Sequence, residues 1–257
     1  MPRLHFFEFG DQPWVPKFLR DYETDFLEFA ANQMEIYKDI YPLLKKGIGK
    51  ADNHQIIDLG SGGGGGWPTM SQKFIDQDVK FSLKLTDFNP NIGAFKKLEA
   101  AHPSVISYDP NPVDAGNVKA SLKGFRTMFL SFHHLKPKKA QQVLQNAVDA
   151  EQPIGIFELQ DRSLLSVLLM TITAPILAIL TSVFIRPFKL GRILCTIVPI
   201  LPLIIWFDGI VSNLRTYNES DLQTLVGRLD QGDTYEWEIG RKKKGARFII
   251  YLLGYKK

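Results

Sequence analysis

The sequence has almost no cysteine. Cys195 stands alone in 257 residues, which excludes an intramolecular disulfide framework and a cysteine-based zinc site. Charge of one sign is also lacking. The 31 basic and 27 acidic side chains leave a net charge of +4, too little to argue for nucleic acid as a partner. The opening residues, Met1-Pro-Arg-Leu-His-Phe-Phe-Glu8, carry no apolar run with a small-residue cleavage site, so the expected location is cytoplasmic. The most informative shortage is local. No charged side chain occurs from Ser163 to Ile185, nor from Ile193 to Phe207, and the basic linker Arg186-Pro-Phe-Lys189-Leu-Gly-Arg192 lies between. Otherwise, 45% hydrophobic and 23% charged residues describe a globular chain long enough to bury a sizeable core.

Residues 1–13 read as an irregular arm. From Trp14 to Leu44 the apolar spacing is helical: Trp14, Phe18, Tyr22 and Phe26 step by four, and Ala30, Met34, Tyr37 and Tyr41 continue the stripe. Such a stripe either packs on the domain core or forms a lid over a ligand. After it the pattern alternates. Strands are predicted at 55–59, 80–86, 105–108, 125–131 and 153–159, with helices at 70–74, 92–101 and 138–149. Strand–helix alternation with short loops predicts an open parallel α/β sheet. Near the end, Tyr235–Ile239 and Ala246–Tyr255 predict a β-hairpin, with Gly240-Arg-Lys-Lys-Lys-Gly245 as its solvated turn. Asn218 or Ser220 is the expected cap of a helix running into Leu225.

The glycine tract Gly60-Ser-Gly-Gly-Gly-Gly-Gly66 follows a buried strand, precedes a helix, and is followed by a second strand that ends in Asp87. Glycines suit a sharp strand-to-helix turn where a ligand approaches the backbone, and a carboxylate ending the next strand can accept both ribose hydroxyl protons. The spacing of Gly60, Gly62 and Gly65 also satisfies a dinucleotide fingerprint, so the tract alone leaves NAD open. The ordered motifs resemble those of the class I S-adenosylmethionine-dependent methyltransferases. Ile56-Ile-Asp58-Leu-Gly60-Ser61-Gly62-Gly-Gly64 is similar to their first motif, Leu85-Thr-Asp87-Phe88-Asn89 to their second-strand acid, and Val113-Asp114-Ala115 to their adenine-contacting pair. Phe129-Leu-Ser-Phe132-His133-His134-Leu135 is similar to their fourth-strand motif. The resemblance implies a Rossmann-like, doubly wound, mostly parallel seven-stranded sheet with an antiparallel C-terminal hairpin. It implies S-adenosylmethionine as cofactor, held by Asp58, Gly60, Ser61, Gly62, Gly64, Asp87, Phe88, Asn89, Asp114, Ala115 and Phe132.

His133 and His134 fall at the carboxyl edge of the sheet, where either could serve as general base or simply pack. A metal role is not expected for them, since adjacent residues in a strand point to opposite sides. Glu158, Gln160, Asp161 and Arg162 end the fifth strand as a substrate-orienting cluster or a polar loop, and Trp67 covers the cofactor or packs the first helix. Trp14, Phe18, Tyr22, Arg215 and Tyr217 are candidate substrate contacts.

The domain reading places an arm and lid helix at 1–50, the cofactor domain at 51–162 and 208–257, and a hydrophobic insertion at 163–207. A spanning hairpin would put Arg186, Lys189 and Arg192 on the far side of the membrane, against the positive-inside rule. Three readings stay open. The insertion dips into or lies on the inner face of a membrane with its cations near lipid phosphates, caps a greasy substrate, or forms a homodimer face. The functional expectation is methyl transfer from S-adenosylmethionine to a small lipophilic or membrane-associated acceptor. The alternatives are a non-catalytic cofactor-binding module anchored at a membrane and an NAD-dependent oxidoreductase.

Overall fold

A computed structural model describes residues 1–244 and 247–257 of the chain. Seven strands form one sheet: β1 (Gln55–Leu59), β2 (Ser82–Thr86), β3 (Ile106–Tyr108), β4 (Phe125–Phe129), β5 (Ile154–Glu158), β6 (Tyr235–Lys244) and β7 (Arg247–Lys256). Their spatial order is β3-β2-β1-β4-β5-β7-β6. The first five are parallel, and β7 runs antiparallel between β5 and β6. The order reverses between β1 and β4, the switch point where ligands bind in open α/β sheets.

Alternating side chains feed two separate cores. Ile56, Leu83, Phe125 and Phe157 face helices α2 (Tyr41–Gly49), α3 (Trp67–Asp76) and α4 (Ile92–Ala101). Ile57, Met128, Ile154 and Ile156 face α5 (Pro137–Asp149) and α9 (Glu219–Val226). The sheet is therefore doubly wound, as the resemblance implies, and its parallel part is the one the strand–helix alternation predicts. Asn218 caps α9 through a reciprocal capping box with Asp221.

Three sequence expectations change. The helix predicted over 14–44 is two helices, α1 (Lys17–Gln33) and α2, because Glu35 adopts a left-handed φ of 43° and turns the chain. The Arg241–Lys244 run extends strand β6 instead of forming the turn; paired with β7, it completes the sheet edge. The hairpin tip at 245–246 lies outside the described residues. The 207/208 domain boundary falls inside a helix, since α8 (Ile200–Arg215) is continuous across it.

The insertion folds as α6 (Leu164–Thr181), α7 (Leu190–Ile197) and the first half of α8. It makes a third core with α1, in which Phe26 meets Ala174, Ala178, Leu201 and Ile205. The aromatic stripe of α1 thus packs largely on the insertion. Tyr22 and Phe29 border this third core, while Trp14 and Phe18 remain exposed. Of the three linker cations only Arg186 is exposed. Lys189 and the fully buried Arg192 both pair with Asp25 of α1, because an unpaired guanidinium could not be buried there. The expected cluster of three basic groups at lipid phosphates is reduced to one.

Candidate active site

The glycine tract is a tight turn held from below. Ser61 N–H donates to the Thr86 carbonyl and Ser61 Oγ to the Asp58 carbonyl, so this side chain braces the loop from inside. Gly60, Gly62, Gly64 and Gly65 all have left-handed φ, from 49° to 97°. Their surroundings differ. A Cβ at Gly64 would lie 2.1 Å from Leu98 Cδ1, whereas at Gly62 it would meet nothing within 4 Å. Gly64 is needed for packing, and Gly62 leaves open space above the loop.

Asp87 lies at the end of β2, half-buried beside this space. One carboxylate oxygen accepts from Gly62 N–H at 2.8 Å and the other from Asn89 N–H at 2.8 Å. Burial raises its pKa, opposed by these backbone donors. Each oxygen keeps a lone pair for a further donor. Phe88 next to it is 63% exposed, an aromatic face left uncovered at the sheet edge. Asn89 is also exposed. Asp58, buried under the loop, accepts from Thr127 Oγ1 at 2.7 Å; burial pushes its carboxyl up to about 6 against the Ser61 and Thr127 hydroxyls. It braces β1 to β4 from beneath the turn.

Other expected contacts sit elsewhere. The Asp114 segment reaches the edge through Val113 N–H donating to the Asp87 carbonyl. The Asp114 carboxylate, however, is engaged by Lys139 Nζ at 2.6 Å and by Gly116 N–H, while Ala115 packs on the second core. Phe132 is fully buried against Tyr217 in that same core, with ring centroids 5.3 Å apart, so its ring faces inward and away from the ligand edge. Tyr217 is likewise no substrate contact: it is buried, donates to the Leu135 carbonyl at 2.7 Å and carries the Arg3 guanidinium on its ring. Trp67 is buried at the start of α3 against Phe129 and so packs the helix.

The His-His segment differs most from expectation. Strand β4 stops at Phe129, and Phe132–His134 forms a 3-10 turn. The two imidazoles therefore lie side by side, centroids 4.2 Å apart, and do not point to opposite faces. Glu158, at the end of β5, organises the turn: it accepts from Phe132 N–H and lies 2.7 Å from His133 Nδ1. His134 Nδ1 is 2.9 Å from Asp11 and 3.4 Å from Glu8. Burial opposes its charge, but Glu8 and Asp11 overcome this and lift His134 to about 9. Arg215 is buried in the same network, bonded to Asp11 at 2.7 Å and Glu8 at 2.9 Å, and so is occupied within the protein.

Glu8 and Asp11 escape sequence reasoning because the arm shows no periodicity. The structure pins it firmly: Phe9 N–H and Gly10 N–H both donate to Asp208 of α8 at 2.8 Å, and Arg3 donates to the His133 and Leu135 carbonyls. Asp208 is lifted to about 6 by burial, and the neighbouring Glu23 is raised well above its ordinary value by burial and by the Asp208 charge. The one sequence signal was the pairing of these acids with Phe7 and Phe9, whose rings meet Phe207 of α8. Asp161 caps the Ser163 turn, and Arg162 bonds Asp221 at 2.5 Å, so most of the fifth-strand cluster serves structure.

Gly60, Gly62 and Asp87 fit the adenosyl cofactor that the resemblance implies. Gly62 has room for a close approach, and a Cβ at Gly60 would lie 3.2 Å from Ser131 Oγ, a buried hydroxyl with no hydrogen-bond partner among the described residues. An orphaned hydroxyl beside a glycine cradle suits a polar ligand.

No protein-family model matches the sequence, and no curated protein matches it. Solved structures do. The chain is similar to the plantazolicin methyltransferase BpumL, solved with S-adenosylhomocysteine, at TM-score 0.52 and 11% identity over 97% of this chain and 93% of that one. It is similar to the magnesium protoporphyrin IX methyltransferase of Synechocystis, solved with S-adenosylmethionine, at TM-score 0.50 and 8% identity over 96% and 88%. A Rhodobacter sphaeroides structure with a provisional assignment as a Zn-dependent alcohol dehydrogenase gives TM-score 0.52 and 11% identity over 92% and 98%. At these identities the likeness is one of fold. The chain has the class I S-adenosylmethionine methyltransferase fold.

Proposed function

We propose that the chain transfers a methyl group from S-adenosylmethionine to a small lipophilic acceptor, at or near a membrane surface. The observation that carries this reading is the open glycine cradle at Gly60–Gly62 closed on one side by the Asp87 carboxylate. When bound, the cofactor supplies a methyl carbon activated on a sulfonium. Gly60 and Gly62 admit it against the backbone, Ser131 Oγ offers a hydroxyl, and Asp87 accepts from the ribose. Asp114 keeps its proposed place near the adenine only if its bond to Lys139 opens.

The acceptor side is built by the arm, α1 and the insertion, which exclude water from the edge and align the reacting atoms. Held protonated by Glu8 and Asp11, His134 donates a proton at neutral pH and cannot take one. That favours an acceptor atom that needs no base from this histidine. The lipophilic reading rests on α6. This uncharged, mostly apolar helix of 18 residues has only 17% of its residues buried, with Leu165, Leu168, Ile172, Ile176 and Ile179 exposed along one side. At about 27 Å it is just shorter than a bilayer core. A surface-lying helix uses such a face.

The test combines binding and transfer. Calorimetry should show one S-adenosylmethionine site, and label from the methyl group should appear in a fractionated lipid extract. Thermal protection by NAD with none from S-adenosylmethionine would reject the reading. Flotation with liposomes should be lost in the Ile172→Glu, Ile176→Glu double variant; retention would reject the membrane element alone.

A further inference from the structure

Glu8, His133 and His134 bring potential metal-ligand atoms within 4.8 Å of one another, a grouping that has no part in the cofactor cradle. The histidines come from the turn after β4 and the carboxylate from the N-terminal arm. Glu158 Oε2, 2.7 Å from His133 Nδ1, fixes the proton on that nitrogen and leaves the lone pair on Nε2. His133 Nε2 lies 3.8 Å from Glu8 Oε1 and is buried without a hydrogen-bond partner among the described residues. A carboxylate behind a buried imidazole, with the opposite nitrogen unpartnered, is the arrangement that orients histidine towards a metal.

The second histidine completes the geometry. His134 Nδ1 lies 3.4 Å from Glu8 Oε2 and 2.9 Å from Asp11 Oδ1. Arg215 Nη1 takes Glu8 Oε1 and Asp11 Oδ2 and lies 3.3 Å from His134 Nδ1, so an ion seated there displaces this guanidinium from the imidazole while Glu8 Oε2 and Asp11 Oδ1 face it. Bonds of about 2.0–2.1 Å set tetrahedral ligands about 3.3 Å apart, close to the spacings already present. Charge also matches. Ligation requires His134 to release its proton as the ion binds; the carboxylates of Glu8, Asp11 and Glu158 against the Arg215 guanidinium then leave two negative charges for a dication to balance. His134 and Asp11 side chains are each 32% exposed, which gives an ion a way in.

We propose that His133 Nε2, His134 Nδ1 and Glu8 bind one divalent transition-metal ion of the zinc class. Two imidazoles with a carboxylate suit zinc and its first-row neighbours better than magnesium or calcium, which prefer all-oxygen sets. None of these ligands lies in the cofactor cradle, and the test is kept separate from S-adenosylmethionine binding.

The full chain, stripped with a chelator, is titrated with Zn²⁺ by calorimetry and with Co²⁺ by visible absorbance. The expected result is one ion per chain, intense d–d bands of low-coordinate Co²⁺, and no displacement by millimolar Mg²⁺. His134→Ala, at a partly exposed position, should abolish binding while circular dichroism stays unchanged. Glu158→Gln keeps every ligand and should weaken affinity about 10- to 100-fold. Asp76→Asn, on α3 away from the site, should bind as the parent does. Unchanged stoichiometry in His134→Ala, or a Co²⁺ spectrum identical to the aqua ion, would overturn the proposal. S-adenosylmethionine binding, measured on the same stripped samples, reports on the methyl-transfer reading alone.

Discussion

Replacing Gly62 by alanine separates the cofactor cradle from the fold that carries it. The backbone there has a φ of 53°, a region that costs an alanine about 1–2 kcal/mol. Nothing lies within 4 Å of the added methyl, so no packing penalty follows. In a chain of this size, about 1 kcal/mol lowers the melting temperature by about 2–4 °C. Gly64→Ala is the matched comparison. It has the same kind of strain at 97° and also drives a methyl to 2.1 Å from Leu98, a core residue of α4. Overpacking adds about 1–3 kcal/mol, for a total of about 2–5 kcal/mol. The cofactor should respond differently. The Gly62 methyl projects into the space where the ligand approaches the backbone, and a displacement of this kind should cost at least about tenfold in S-adenosylmethionine affinity, or about 1.4 kcal/mol. Scanning calorimetry and isothermal titration on both variants give the four numbers. If Gly62→Ala melts near the parent and binds as the parent does, the space above Gly62 is not the cofactor site. If it is as unstable as Gly64→Ala, the reasoning about the open methyl position is wrong.

Asp87→Ala removes a charged acceptor for two hydroxyls and should weaken S-adenosylmethionine about 10- to 100-fold by titration, since each such bond is worth about 1.5–3 kcal/mol before the loss is shared with water. His134, lifted to about 9 in the folded chain, contributes stability that is complete below its unfolded value near 6.5 and lost as pH rises through about 9. Urea midpoints should therefore fall across that window, and His134→Gln should flatten the fall. Arg192→Met leaves Asp25 with Lys189 alone and should destabilise the chain by about 3 kcal/mol, the low end for breaking a buried pair, read as a lower urea midpoint.

The sheet was legible in the sequence because each strand is a short apolar run bounded by turn residues, and β1 and α4 match their expected limits to the residue. The glycine cradle and Asp87 were legible for a related reason: their chemistry is local, set by a strand, a turn and the next strand. What stayed hidden depends on contacts distant in sequence. His133 could not be assigned a partner, because Glu158 is brought beside it only by the pairing of β4 with β5. The turn of the histidines out of the strand was missed because Phe129, Leu130 and Phe132 prolong the strand's apolar character, and such a pattern cannot show where hydrogen bonding to β5 stops. Phe132 and Tyr217 were misplaced by the same bias, which reads an aromatic near a motif as a ligand contact when burial in the second core holds it. The arm was invisible because its order comes from α8, about 200 residues away.

Helix α8 ties the two proposed surfaces together. Leu201, Asp208 and Arg215 are seven residues apart, so they lie on one stripe of the helix, two turns between each. Leu201 sits in the core shared with α1 and α6, Asp208 holds the backbone of the arm at Phe9 and Gly10, and Arg215 holds Glu8 and Asp11 beside the histidines. One rigid element of about 24 Å thus runs from beneath the exposed apolar helix to the ligand edge. Helix α6 packs closely on α8 beside this stripe, since a Cβ at Gly209, next to Asp208, would lie 2.8 Å from Met170 Sδ.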